Sequence, residues 1–385
     1  MLPEYYDQFK REYDETLAKL LEEFDSWNAE GHDVESLVAY QQAIIDVCTE
    51  MENSWLTSAD EIVGGFEQIC ELLYELSNGR TEAAEDIRIK LRDMHSLFDK
   101  CIDRSERKLS LVLMERNEER YLKEWLEFHL MMGADHFYVY DHGSTDGSIE
   151  VLQPYVDKGL VELFPVEGEY LPTQISVYND ALKRAKYSTR YLAFIDTDEF
   201  LTPMRHETAL AAIEDIFRSY EETPFKSPGS CRAGGIGVNW RVYGTSGHKT
   251  PAAGPVISEY THRGPDDLMM NCHVKTICKP LTVRNIINPH FAIYEQGYWC
   301  ISEHGSLIPG AFFYDSKCDL LRLNHYYVKS EEEYVSRRLN FKRSEAGRQR
   351  LATEEEVTHT NEVFDDVMER FADRLRERMS GQHLD

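Results

Sequence analysis

Basic residues are scarce: 42 Lys and Arg stand against 69 Asp and Glu in 385 residues, a formal net charge of −27. Such a chain repels nucleic-acid backbones and anionic lipid surfaces, which argues against a general polyanion binder. It leaves room for a small phosphorylated ligand held through a metal ion or a local basic pocket. Cysteine is sparse as well, and none of Cys48, Cys70, Cys101, Cys231, Cys272, Cys278, Cys300 and Cys318 forms a CxxC pair. A disulfide scaffold is thereby excluded, and reduced, mostly buried thiols in a cytosolic protein are expected. No apolar run approaches the ~20 residues that span a bilayer. The opening segment, MLPEYYDQFKREYDE, carries charges where an export signal needs its apolar stretch, so a cytoplasmic chain is expected. There is no internal repeat and no GxxxxGK[ST] phosphate loop.

What is present is ordinary globular material, 42% hydrophobic and 29% charged. At roughly 150 residues per domain, the length predicts two or three domains. Residues 1–100 hold 24 acidic and 8 basic side chains and read as helices throughout. Ser58-Ala59-Asp60-Glu61 is a capping box, followed by Ile62, Phe66, Ile69, Leu72, Leu73 and Leu76 at helical spacing and by Gly79 as a stop. Ile87, Leu91, Met94, Leu97 and Phe98 form another stripe, and residues 4–28 and the run from Leu37 to Val47 complete about four amphipathic helices. No catalytic constellation occurs there. Residues 1–106 are expected to be an acidic accessory module, with homo-oligomer formation as one role.

The pattern changes at Lys108. Leu109–Met114 is an apolar run of strand length, followed by a helical stretch from Glu118 to Met132. Phe137–Tyr140, Leu160–Phe164 and Tyr191–Ile195 read as further strands, with Ser148–Val156 and Thr173–Lys186 as helices between them. Strands alternating with helices predict βαβ crossovers and a mostly parallel sheet covered on both faces. Beyond residue 205 the pattern predicts a helix at Thr208–Tyr220, then a Gly/Pro/Ser-rich stretch from Thr223 to Gly237. Short strands follow around Trp240 and Lys275–Lys279, and a last helix begins at the capping box Ser330-Glu331-Glu332-Glu333.

Polar motifs fall at the strand ends, where open α/β sheets bind ligands. The sharpest is Phe194-Ile195-Asp196-Thr197-Asp198-Glu199-Phe200. Two carboxylates two residues apart, just past a buried strand, offer hard oxygen ligands to Mg²⁺ or Mn²⁺, which also takes phosphate oxygens and waters. A cation there could offset the charge growing on a departing diphosphate. The competing reading of such a triplet is a solvated turn.

With Asn117-Glu118 after the first strand and Tyr140-Asp141-His142-Gly143-Ser144-Thr145-Asp146-Gly147 after the second, the acidic triplet resembles glycosyltransferases of the GT-A fold. The longer run from Asn117 through Trp125, His129 and Gly133 is similar to a family 2-like group related to glycosyltransferase family 92. Trp240, Gly244–His248, Val274–Ile277, His290-Phe291 and Asn324–Glu332 agree with it. The resemblance covers roughly residues 109–345. It implies a GT-A domain at 107–345, a mostly parallel Rossmann-like α/β sheet flanked by helices, preceded by the all-α module and followed by a helical tail at 346–385.

It further implies a nucleotide-sugar donor, UDP-linked by expectation, a Mn²⁺ or Mg²⁺ ion, and inverting transfer to a hydroxyl of a glycan or glycolipid. Asp141 occupies the position that contacts nucleobase or ribose, with Asn117 and Glu118 on the same side; His142 stands where the motif has its second acid. Asp196 belongs near ribose or metal, Asp198 is the principal metal ligand and His325 a further one. Lys275 and Lys329 are candidates for the diphosphate, and Trp240 and Ser246 for the acceptor. The general base is read as Glu259, with Glu303, His248 and Asp266 as alternatives. Each has a plainer rival: Asp141 as an Asx-turn cap, Glu259 as a partner of Arg263 four residues on, Trp240 as core. The setting expected is cytoplasmic polysaccharide assembly, soluble or peripheral at the inner membrane face. Two other classes remain open, a nucleotidyl- or phosphoryl-transfer enzyme using the same carboxylates and a non-catalytic scaffold.

Overall fold

The computed structural model describes residues 15–26, 38–46, 59–97, 107–186, 188–221, 232–295, 298–314, 317–336 and 358–381. The chain divides into two compact units, Met1–Arg107 with Lys186–Ser188, and Lys108–Ala185 with Thr189–Asp385.

The first unit is helical: α1 (15–26), α2 (38–46), α3 (Ala59–Ser77) and α4 (Ala83–Leu97). Leu17, Leu20 and Phe24 bury one stripe of α1, and Phe66, Ile69, Leu73 and Leu76 recur at the same three-and-four spacing on α3. Ile87 and Leu91 do so on α4, while acidic residues take the outer faces. The Tyr40 hydroxyl donates to the Leu20 carbonyl at 2.7 Å, and Arg88 reaches Asp25 at 2.6 Å. Gly79 ends α3 at φ +87°, where a side chain would be strained. Ser58 and Phe98, and the side chains of Ile62, Met94 and Leu97, lie outside the described residues, as do 223–231 and 346–357.

The second unit runs β1 (Arg107–Glu115), α5 (Glu119–Met131), β2 (His136–Asp141), α6 (Ser148–Asp157), β3 (Val161–Pro165), α7 (Tyr170–Ala185), β4 (Thr189–Phe194) and β5 (Glu199–Pro203). It continues with α8 (Ala209–Glu221), β6 (Arg232–Val242), α9 (Val256–Glu259), β7 (His262–Arg263), β8 (Val274–Cys278), β9 (Val283–Asn288), β10 (Phe291–Tyr294), β11 (Tyr298–Ile301) and β12 (Leu321–His325). A helical stretch α10 (331–336), β13 (Val363–Phe364) and α11 (Glu369–Met379) complete it. Among the described residues nine strands form one sheet in the order β3-β2-β1-β4-β8-β6-β12-β5, with β11 also on β6.

Alternation along β1 shows why both faces are covered. Leu109, Leu111 and Leu113 join one core with Leu122, Trp125 and Phe128 of α5. Val112 and Met114 point the other way, into a second core with Val177, Tyr178 and Ala181 of α7. Pairs β1–β2, β2–β3, β6–β12 and β6–β11 are parallel, and β8 runs antiparallel to both β4 and β6. This is the GT-A arrangement expected, a curled, mostly parallel sheet flanked by helices.

Two features exceed the sequence expectation. The strand around Trp240 is eleven residues long because its first half pairs with β11 and its second half with β12. The residues just after the acidic triplet form a strand of their own, β5, which crosses to pair antiparallel with β12. That crossover sets His325 opposite Glu199.

Candidate active site

The acidic triplet bridges β4 and β5, so Asp196 and Asp198 sit on a tight turn between two strands that are not sheet neighbours. The turn is braced from below. The indole Nε1 of Trp125 donates to the carbonyls of both Asp196 and Glu199 at 3.0 Å. His129, one turn further along α5, donates from Nδ1 to the Trp125 carbonyl and accepts the Leu201 amide at Nε2. Burial pushes its pKa down to about 3, so the ring is neutral and fixed in one tautomer.

Above the turn, His325 Nε2 stands 3.4 Å from Asp198 Oδ1, and the Tyr326 amide donates to the Asp198 carbonyl at 2.8 Å. Both side chains are buried. Asp196 is differently employed: its Oδ2 accepts the Lys275 ammonium at 2.9 Å, its amide donates to Glu199 Oε2, and its Oδ1 is buried without a hydrogen-bond partner. Lys275, 2% exposed, also lies 3.4 Å from the wholly buried Glu199. Burial alone would lower the lysine's pKa, but Asp196 and Glu199 together hold it well above its ordinary value. Burial pushes Glu199 up, against the pull of Lys275.

These donors suit a divalent cation. Asp198 and His325 offer one hard oxygen and one imidazole; His325 Nδ1 and Asp196 Oδ1 are buried polar atoms without a partner in the fold. Two protein ligands, with the rest from phosphate and water, is the usual provision for Mg²⁺ or Mn²⁺ beside a phosphorylated ligand. Among the described residues, the trio of ligand atoms mutually within 4.8 Å is Glu303, His304 and Asp319, not the acidic triplet with His325.

A second cluster forms at the ends of β1 and β2. Glu115 and Asp141 are register partners and both are buried. Burial, then the neighbouring Asp141 carboxylate, pushes Glu115 up to about 8. Asp141 Oδ1 accepts the Ser144 amide at 3.0 Å, the Asx turn anticipated as its plainer role. Asn117, at φ +58°, accepts the Thr145 amide on Oδ1 at 2.7 Å and donates its own amide to Ser144. The Glu118 amide donates to Ser148 Oγ at 2.9 Å. Asn117 and Glu118 therefore zip the first loop to the second. His142 donates to the Gly168 carbonyl at 2.8 Å, and an open groove of about 450 Å³ lined by Val166, Glu167, Gly168, Thr173 and Val177 lies just past the end of β3.

The remaining sequence candidates scatter. Glu259 ends the short helix α9, whose first amides, Val256 and Ile257, are held at 2.8 and 3.1 Å by the buried carboxylate of Glu124. His248 donates to the Glu259 carbonyl at 3.1 Å and lies 3.6 Å from its carboxylate. The loop carrying both leaves β6 at Val242, which is the register partner of His325. Arg263 bonds to Asp266 and Asp365 rather than to Glu259. Glu303 accepts the amides of Asp319, Leu320 and Leu321 at the start of β12, the opposite end from His325 and roughly 13 Å away along the strand. Ser246 is tied to Asn361 and His262. Lys329, almost fully buried, sets its ammonium 3.5 Å over the Tyr121 ring. Trp240 is buried, stacked on His273 and against His290 and His325.

Residues missed from sequence are Glu115, Glu199, Trp125 and His273. Glu115 had one signal, an acid closing an apolar strand. Glu199 stood beside the triplet, but its burial follows only from the β5–β12 pairing.

A family model described as Glycosyltransferase family 92 matches residues 113–296. A glycosyltransferase family 92 protein of Oryza sativa is 29% identical over 43% of this chain and 26% of its own length. A galactan beta-1,4-galactosyltransferase of Arabidopsis thaliana is 29% identical over 29% of this chain and 24% of its own. This chain thus spans about a quarter of the length of those relatives. A crystal structure of S. aureus TarS 1-349 in complex with UDP is 16% identical over 45% of this chain and 47% of that one, with a TM-score of 0.29. Over residues 113–296 this chain is thus similar to glycosyltransferase family 92 proteins.

Proposed function

We propose that the chain is a metal-dependent glycosyltransferase that moves a sugar from a UDP-sugar to a hydroxyl of a glycan or glycolipid, with inversion. The observation that carries this is the buried Asp198–His325 pair, 3.4 Å apart at the strand ends, with Lys275, Asp196 and Glu199 packed behind it. The cation, Mn²⁺ or Mg²⁺, would offset charge on the departing diphosphate. Asp141 receives hydrogen bonds from base or ribose beside the groove past β3. Lys275, 2.9 Å from its Oδ2, orients Asp196 toward the ribose or the metal. Glu259, steadied by Glu124 and next to His248, is the carboxylate for taking the acceptor proton. A β-linked product, as in the relatives named galactan beta-1,4-galactosyltransferases, requires inversion if the donor is α-linked.

Residues 1–106 serve as an accessory or self-association module in this reading, 107–345 as the catalytic domain and 346–385 as its tail. No described helix is long and apolar enough to cross a membrane; a cytoplasmic place, free or at the inner membrane face, is part of the proposal. Calorimetry of UDP binding with and without Mn²⁺ tests the core of it. Asp198→Ala should abolish the Mn²⁺-dependent affinity. An unchanged UDP affinity in that variant overturns the reading.

A further inference from the structure

The sheet face that carries Lys275 does not end at the metal-site residues. Side chains alternate along a strand, so His273, two residues before Lys275, points the same way. His273 pairs in an antiparallel bridge with Phe312, and the register is pinned by the Val274 amide on the Ala311 carbonyl (3.1 Å) and the Phe313 amide on the Cys272 carbonyl (2.7 Å). Trp240 donates its amide to the His273 carbonyl from the other side.

The rings follow this order. His325 lies 4.3 Å from Trp240, Trp240 stacks on His273 at 4.7 Å and 17°, and His273 meets Phe312 edge-on at 4.8 Å. Exposure rises along the same path, from the buried His325 and Trp240 through the half-buried His273 to Phe312 at 49%. Phe312 is not exposed by a loose loop, because the next residue, Phe313, packs into a small core with Val274, Cys300 and Ile308.

The two flanking imidazoles add polar character. His273 donates from Nδ1 to the Met270 carbonyl at 2.9 Å and His290 from Nδ1 to the Val274 carbonyl at 3.0 Å. Each ring is therefore left with Nε2 as an acceptor. Burial lowers the pKa of both and, with the charge of Lys275, takes His290 to about 3, so both rings are neutral.

We propose that the strip Trp240–His273–Phe312 is the subsite for a carbohydrate acceptor chain, which stacks sugar rings on Phe312 and His273 and directs its terminal hydroxyl toward His325 and Asp198. A sugar ring has apolar C–H faces and a rim of hydroxyl donors, which matches aromatic faces interleaved with imidazole acceptors. A lipid tail would leave those acceptors unpaired, and the net charge of −27 opposes a nucleic acid. The inference rests on the donor-site reading above and names the acceptor class for it.

The test uses the full chain and soluble β-linked galacto-, gluco- and manno-oligosaccharides of one to four sugars, titrated against intrinsic fluorescence. Expected is at least one series whose affinity rises with length. Phe312→Ala should weaken its three- and four-sugar members about five- to tenfold, and Phe312→Tyr should restore them, with Mn²⁺-dependent UDP binding as the control for folding. The proposal is overturned if no series binds, if Phe312→Ala binds all lengths as the parent does, or if sedimentation shows Phe312→Ala breaking a dimer instead. Failure of the donor reading appears separately, as unchanged UDP affinity in Asp198→Ala.

Discussion

The Lys275 ammonium lies 2.9 Å from Asp196 and 3.4 Å from Glu199, almost entirely out of solvent. One buried cation thus serves two carboxylates, a half-buried one on the turn of the acidic triplet and a wholly buried one at the first residue of β5. Removing one member of such a group strands the others as buried charge. Lys275→Met should therefore destabilise the chain by about 3–5 kcal/mol, measured by urea unfolding. Glu199→Gln in the Lys275→Met background should recover part of that loss.

The His325 backbone is fixed by strand pairing, its carbonyl accepting the Tyr243 amide at 2.8 Å, so truncating the side chain removes the imidazole and leaves that pairing in place. His325→Ala should weaken Mn²⁺-supported UDP binding about tenfold or more while shifting the melting temperature little. EDTA should bring the parent chain to the affinity of the variant, and Mn²⁺ should restore the parent alone.

Glu115 makes stability depend on pH in an unusual direction. Its folded-state pKa is raised to about 8, so the folded form holds a proton that the unfolded chain gives up above the ordinary carboxyl value. The stabilisation is complete below that ordinary value and is lost as pH rises toward and through 8. Relative to Glu115→Gln, the parent should lose on the order of 2–4 kcal/mol between pH 5 and pH 9. Parallel unfolding curves across that range measure it; a constant difference would refute the shared environment with Asp141.

Asp365 behaves oppositely. It accepts from Arg263 at 2.6 Å and from Arg322 at 3.0 and 2.9 Å, tying the segment before α11 to β7 and β12. Burial alone would raise its pKa, but Arg322 and then Arg263 hold it well below the usual carboxylate range. Its contribution is present above the unfolded-state value and lost as pH falls below it. Asp365→Ala should cost about 3–5 kcal/mol at neutral pH and release α11, seen as faster amide exchange at Phe371 and Leu375, which are buried against α5 and its neighbours.

The strand and helix order of residues 108–196 was readable because each element declares itself locally. Leu109–Met114 and Tyr191–Ile195 are apolar on both faces, as only a covered sheet permits, and Trp125 and Phe128 recur at helical spacing. The bonds of Asn117 to Ser144 and Thr145 link two loops almost thirty residues apart, and residue types alone did not specify those pairings. Glu303 shows the limit most clearly: an acid of plausible type in a plausible region, it is spent on three backbone amides at the start of β12.

Periodicity, charge and the acidic triplet were enough for the α/β class, the helical front and the strand end at which to look. Neighbours in space settled the rest: that β5 crosses to β12 and brings Asp198 to His325, that Lys275 neutralises Asp196, and that Trp240 joins a line of rings reaching Phe312. Local conformation is governed by windows of some ten residues, which one chain segment contains. A pKa, a ligand set or an exposed ring depends on burial among segments far apart in the chain, Asp196 from Lys275 and Asp198 from His325 among them, and burial arises only when the whole sheet closes.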